Sequence, residues 1–282
     1  MTASVRRFHL TEVGAESALE ARYGAQTPVI GAVWNETIEG LLQHRSVRAY
    51  LPDALECGVL EAIVAAAQSA ASSSNQQFWS VVAVEDPERK ARLADLAGGQ
   101  AHIRQAPLFL VWLADLSRAN AIAERARQGH EALDYVETLV VSVADVALAA
   151  QNAVVALESL GLGSVFIGAI RNRPEAVAQE LGLPPLILPV FGLCVGRPDP
   201  AKPTEVKPRL PQAAVLHRET YSSAQGPAVA AYDETLRDFQ RAQGLPQIGW
   251  TDSVVNRVSK VKVLNGRERL REALLGFGFR LS

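Results

Sequence analysis

Cysteine is almost missing from this chain. Only Cys57 and Cys194 occur, too few for a disulfide framework or a cysteine-built metal set. The five histidines are scattered, with neither HxH nor HExxH spacing, so no metal site is expected. Net charge is also nearly absent. A value of −2 gives no general pull toward nucleic acid or an acidic membrane surface. Arg6, Arg7 and His9 have no apolar core behind them, so the N-terminus does not read as a secretory signal. The longest mainly apolar run, Leu133–Leu162, carries Glu137, Asp145 and Glu158, so it is not expected to span a membrane. No internal repeat stands out. A reducing, cytoplasmic setting is the expectation that follows.

What remains is the composition of a soluble globular protein, 48% hydrophobic and 21% charged over 282 residues. Residues 1–33 allow a short helix around Glu12–Tyr23 or an extension outside the main fold. Helical spacing and end signals predict helices over Thr37–Gln43 (with Thr37 as N-cap), Glu56–Ala70 and Ser117–Gln128. A further helix starts at Pro87 and closes at Gly98-Gly99. Leu133–Leu160 is apolar on more than one face, which predicts a long central helix covered on most sides. Pro174–Leu181 and Ala228–Gln243 follow, then a basic helical tail over Trp250–Phe277. Strands are predicted at Phe78–Val84, Pro107–Leu113, Gly163–Ile170 and Leu188–Val195. The fold class is α+β, a sheet packed with helices around one long helix.

Five residues concentrate chemistry: His44-Arg45-Ser46-Val47-Arg48. They stand where a helix ends, since Leu51-Pro52 breaks the pattern. Two guanidinium forks three residues apart, with a hydroxyl between them, make a receptor for phosphate. A solvated basic loop is the plainer alternative. Cys57 falls on an apolar helix face and is expected in the core. Asp145, inside the long helix, is expected to be a hydrogen-bonded core group. His102 and His130 are expected at the surface.

Other segments line up with this one. They are Ser72-Ser73-Ser74, Gly98-Gly99-Gln100, Gly161–Gly168 with Arg171-Asn172, Phe191–Gly196, and Lys207-Pro208-Arg209. In order and spacing they resemble the FMN-dependent nitroreductase family, in its oxygen-insensitive NADPH nitroreductase and flavin reductase branch. The resemblance runs from about Ile38 to Trp250. It implies a mixed, mainly antiparallel sheet and three parts: an N-terminal extension of unknown role (1–33), an FMN-binding domain (34–250) and a basic C-terminal tail (251–282). It further implies a homodimer with FMN at the interface.

By the same resemblance, His44, Arg45, Ser46 and Arg48 would hold the FMN phosphate and ribityl chain. Ser72, Ser73 and Ser74 would supply hydroxyls to the flavin, with Gln76 and Gln100 as polar neighbours. Ile167, Gly168 and Ala169 would lie beside the flavin face, and Lys207 and Arg209 would be the cations that end the site. Read locally, Ser72–Ser74 could equally be a helix terminator, and Lys207 and Arg209 surface charge. The implied activity is ping-pong hydride transfer from NADPH or NADH, through flavin N5, to nitroaromatics, quinones or free flavin. No side-chain nucleophile or metal is called for. A flavin-binding sensor or storage protein without dinucleotide turnover is the rival reading. Its motive is a departure from the family pattern. The loop that should carry arginines for the NADPH 2′-phosphate is the neutral Gln243–Ile248, leaving Arg237 and Arg241 on the preceding helix, or the basic tail around Arg257–Arg271, as the candidate substitutes.

Overall fold

The computed structural model describes residues 12–28 and 33–282. The rest of the expected N-terminal extension, residues 1–11 and 29–32, lies outside the described residues. In chain order the elements are α1 (Glu12–Tyr23), α2 (Glu36–Leu42), α3 (Val59–Gln68), β1 (Trp79–Val84), α4 (Pro87–Leu96), α5 (Ala101–Gln105), β2 (Leu108–Asp115) and α6 (Ser117–Ala126). They continue with α7 (Val136–Ser159), β3 (Gly163–Ile167), α8 (Pro174–Leu181), β4 (Ile187–Gly196), α9 (Gly226–Ala242), α10 (Trp250–Val258) and α11 (Leu270–Gly276). Packing groups them into two units. One takes the described part of Met1–Arg45 with Thr204–Val263; the other takes Ser46–Pro203 with Leu264–Ser282. The boundary between the units falls inside His44–Arg48.

The larger unit is a four-stranded sheet in the order β1-β2-β4-β3, every neighbouring pair antiparallel. Parallel character is confined to a single bridge, Ser46 to Ser164. β2 is buried at every position, because helices cover both faces of the sheet. Its alternate residues go to opposite sides. Leu108, Leu110 and Trp112 join the core formed with α3 and α7, while Phe109, Val111 and Leu113 join the one formed with α4, α5 and α8.

Local chemistry corrects several sequence expectations. Asn35 caps α2 in place of Thr37: its side-chain oxygen accepts from the Ile38 amide at 2.9 Å. α3 begins only after Gly58, whose φ of +86° no helix interior holds. Cys57 therefore lies in the preceding turn and is exposed, not in the core. β3 stops at Ile167 and gives way to a 3-10 turn, Gly168–Asn172. The tail is not one helix. Asn265 and Gly266 take φ of +53° and +95°, splitting it into α10, short 3-10 turns and α11. Gly266 also passes so close to the chain that a Cβ there would meet the Asn172 carbonyl oxygen at 2.6 Å.

α7 departs from expectation most. It buries Asp145, Val146, Ala149, Ala150, Ala153, Val154 and Leu157 along one side. The opposite side is bare: Val140 is 57% exposed and Leu148 48%, with Val136, Ala144 and Ala147 exposed beside them.

The smaller unit assembles α1, α2, α9, α10 and the arm that begins at Thr204. Tyr232 on α9 is buried and donates its hydroxyl proton to the Pro208 carbonyl at 2.9 Å. Asp233, next to it, accepts from the Trp250 and Thr251 amides at 2.7 and 2.8 Å, which caps α10. The carboxyl of Asp233 sits below the usual range; burial works against this, but the bonds from Thr251 and Trp250 prevail.

Candidate functional site

In the larger unit the segment after Arg45 is pinned to β3. The Val47 amide donates to the Ser164 carbonyl at 2.8 Å. The Tyr50 hydroxyl donates to the Val47 carbonyl at 2.6 Å, and burial holds that phenol well above its ordinary pKa. Val47 turns inward and is buried, so in this extended stretch its neighbours Ser46 and Arg48 turn the other way. Arg48 is exposed, as is Arg45. Among the described residues neither guanidinium makes a hydrogen bond or ion pair, so both forks are available to an anion.

Gly163 makes this arrangement possible. A Cβ there would lie 2.5 Å from Val47 Cγ2 and 3.1 Å from Pro198 Cγ. Gly163→Ala is therefore expected to push the Val47 segment off β3 and cost about 1–3 kcal/mol, the range for an overpacked core. Chemical denaturation measures the stability loss, and released flavin fluorescence shows whether the displaced segment bears on the bound cofactor. A variant with unchanged midpoint and full flavin would contradict this account.

The Ser72–Gln77 loop is built on Asp145. This carboxylate, 2% exposed, accepts from the Ser72 hydroxyl at 2.7 Å and from the Ser73 and Phe78 amides at 3.1 Å each. The Ser72 oxygen in turn accepts from the Gln77 amide at 2.8 Å. With both ends tied down, Ser74, Asn75 and Gln77 hold positive φ of 48°, 56° and 51°, a conformation that L residues keep only when their surroundings impose it. Ser72 is thus occupied as a loop organiser, while Ser73, Ser74 and Gln76 remain on the open side. Asp145 is hydrogen-bonded as expected, but its partners could not be read from sequence because they lie 67–73 residues away.

Gln100 opens α5 and turns its amide to the Ala97 carbonyl at 3.1 Å. Before it, Gly98 and Gly99 adopt φ of +80° and +74°. Ile167 is buried at the end of β3; Gly168 and Ala169 start the 3-10 turn, and Arg171 at its end donates to the Val190 carbonyl. His102, expected at the surface, is half-buried, and its Nε2 is buried with no hydrogen-bond partner. Burial, and then the Arg48 charge, lower its pKa.

In the smaller unit Arg22 was missed by sequence reasoning. It is 4% exposed and donates to the carbonyls of Leu42, His44 and Lys207, the last two at 2.8 and 2.7 Å. The Arg209 amide returns a bond to the Arg22 carbonyl at 2.8 Å. One guanidinium therefore joins the backbones that carry His44 and Lys207. No local signal marks it, since Lys207 is 185 residues away. Arg237 and Arg241 already have partners: Arg237 pairs with Glu234 at 2.7 Å, and Arg241 with Asp238 at 2.7 Å and Gln247 at 3.3 Å.

Comparison with known proteins decides the family. A model of the nitroreductase family matches residues 41–197, and one of the family's C-terminal domain matches 207–282. The chain belongs to the nitroreductase family. It is 40% identical to an FMN reductase (NADPH) of Bacillus subtilis over 79% of this chain and 91% of that protein. It is 41% identical to an oxygen-insensitive NADPH nitroreductase of Salmonella typhimurium over 74% and 84%. The solved NADPH:FMN oxidoreductase of Vibrio harveyi, complexed with NAD+, superposes with a TM-score of 0.78 at 32% identity, covering 87% of this chain and 99% of that one. The family match continues through 251–282, a stretch the sequence reading had left outside the resemblance.

The nitroreductase cofactor fits the residues present. Two unpaired arginine forks suit a phosphate, and the tethered positive-φ loop offers hydroxyls and backbone amides. The buried, unpartnered His102 Nε2 is a polar atom awaiting a partner.

Proposed function

We propose that this nitroreductase holds the phosphate and ribityl chain of FMN with His44, Arg45, Ser46 and Arg48. The chain is an FMN-dependent oxidoreductase that draws hydride from NADPH or NADH and passes it to a second acceptor. The observation that carries the site assignment is the unpaired Arg48 guanidinium on a segment locked to β3, with the equally unpaired Arg45 three residues before it in sequence. Bound flavin supplies the hydride-accepting and hydride-donating centre, and the protein supplies position and charge. Ser73, Ser74, Gln76 and Gln100 line it with polar groups. Ile167, Gly168 and Ala169 lie beside its face, Ala169 standing where the family pattern has glycine. Lys207 and Arg209 retain the cationic role that the resemblance gives them, with Arg22 fixing their backbone. Nitroaromatics, quinones and free flavin are the acceptor classes, and the cytoplasm, where reduced dinucleotide is available, is the compartment. The test is anaerobic: purified yellow protein bleaches on addition of NADPH or NADH. Lasting yellow colour would instead support the sensor or storage reading, which no relative named above favours.

The bare stripe of α7 supports a homodimer. Exposed Val136, Val140, Ala144, Ala147 and Leu148 form an apolar band on a helix otherwise anchored in the core, and a second copy is the cover that the resemblance implies. Sedimentation at micromolar concentration is expected to give a dimer, and the double variant Val140→Glu with Leu148→Glu a monomer. A wild-type monomer loaded with FMN would refute the assembly.

Donor choice follows from the engaged arginines. Reading a 2′-phosphate needs a free arginine or lysine. Arg237 and Arg241 are held by neighbouring carboxylates, and Gln243–Ile248 is neutral. NADH is therefore expected to rival NADPH. Comparing kcat/KM for the two donors with one quinone acceptor checks this, and a preference for NADPH above about a hundredfold, near 2.7 kcal/mol, overturns it.

A further inference from the structure

His102 is the one buried imidazole nitrogen without a partner among the described residues, and the charged group that acts on it is Arg48. Its helix, α5, packs against α4. The charged groups on these two helices are Glu88, Arg89, Lys90, Arg92, Asp95 and Arg104. Lys90 donates to the Ala106 and Pro107 carbonyls, at 2.6 and 3.2 Å, Arg89 and Arg92 pair with Glu180, and Asp95 pairs with Arg104. Glu88 is not among the groups that act on the ring. No carboxylate is among the groups that act on the ring. Protonation of an imidazole in such a place is disfavoured for as long as Arg48 stands alone, because it would put a second positive charge beside the first in a partly desolvated site.

We propose that His102 is a proton-linked member of the FMN phosphate site, taking up one proton when the phosphate dianion settles on Arg48. The step balances simply: solvent supplies H+, the ring becomes imidazolium, and a dianion adds two negative charges opposite two positive ones. The buried Nε2–H of the imidazolium then gains an acceptor, which removes the orphan. This rests on the reading of Arg48 as a phosphate ligand, and it adds a pH dependence that arginine cannot confer.

The sign follows from the two states. Free His102 has a pKa below the usual value near 6.5, from burial and Arg48. The bound dianion raises it. FMN affinity is then highest below the free-state pKa, falls as pH rises through the interval between the two values, tenfold for each unit of separation, and levels off above the bound-state pKa. The second ionisation of the phosphate, near pH 6, acts in the opposite direction and is about nine-tenths complete by pH 7, so the loss of affinity is read above that pH.

The experiment dilutes holoenzyme into buffers from pH 6.5 to 9 and reads FMN release by recovered fluorescence. Wild type is expected to lose affinity by about tenfold across that range, and His102→Gln to give a flat profile. His102→Asn is the second variant should the first fail to fold. His44→Gln, which removes the other imidazole of the anion segment, is expected to keep the slope. A flat wild-type profile, or a His102→Gln or His102→Asn profile as steep as wild type, overturns the proposal. Arg48→Ala separates the two failures. If it keeps full FMN at every pH, the phosphate assignment falls and this inference with it. If it loses FMN while the histidine variants still slope, only the role of His102 is lost.

Discussion

Asp145→Ala is expected to lower the thermal midpoint by on the order of 10 °C and to empty the protein of flavin. The loss comes from three donors stranded at once: the Ser72 hydroxyl and the Ser73 and Phe78 amides. Hydrogen bonds to a charged acceptor contribute about 1.5–3 kcal/mol each, and a buried donor left unpaired costs 1–3. These do not add fully, so about 3–5 kcal/mol is expected in total. At about 2–4 °C per kcal/mol for a chain of this size, the midpoint shift follows. Flavin is lost for a different reason. Ser74, Asn75 and Gln77 hold positive φ only because the ends of the loop are fixed, and without Asp145 they relax to ordinary backbone. Asp145→Asn separates the two effects. An amide can accept through its oxygen but not through its nitrogen, so it keeps part of the anchoring and should fall between wild type and alanine in both readouts. Calorimetry and the flavin-to-protein absorbance ratio make the measurement. Full flavin content in Asp145→Ala would show that the loop has no part in the site.

Arg48→Ala and Arg45→Ala are expected to weaken FMN binding by roughly tenfold to a hundredfold each, from charge-assisted bonds of about 1.5–3 kcal/mol. Stability without flavin should barely change, because neither guanidinium has a protein partner among the described residues to lose. That contrast separates these variants from Asp145→Ala, which harms the fold first. Lysine in either place should recover part of the affinity but not all. It restores the charge but not the two-pronged fork. Isolation of either alanine variant with full flavin after dialysis would sink the phosphate assignment.

The elements were legible where one local signal decided them. Pro174 at the first helical position and Gly182 just past the end fixed α8 to the residue. The continuous apolar run of β2 read as a buried strand, and the strand is buried at every position. The apolar girth of α7 was also visible, but that the side carrying Val140, Ala144 and Leu148 faces outward was not, since periodicity says only that a face is apolar. Local reasoning failed where two signals competed or a partner was distant. Thr37 read as the cap of α2, but the helix starts earlier and the Asn35 oxygen is the acceptor that meets the Ile38 amide. Asn265-Gly266 broke a tail whose charge pattern looked continuous. α5, five residues long, left no period to count. Of the site, the anion segment could be read because its residue types are rare together. Asp145, Arg22 and His102 could not, because each acts through residues far along the chain or through a burial that only the fold creates.

Arg22 has a consequence for how this protein can change over generations. On α1 the buried positions are Ala18, Leu19 and Arg22, a single narrow stripe, while Glu16, Ser17, Glu20 and Ala21 face solvent. Those four exposed positions are free to drift, and surface substitutions there should fall within about 0.5 kcal/mol. Position 22 is not free. It gathers three carbonyls with one planar, multi-pronged donor, and no other side chain offers that geometry. A lineage could rewrite the exposed face of α1 and keep its reductase, yet a single codon in that helix decides whether the backbones under His44 and Lys207 stay joined.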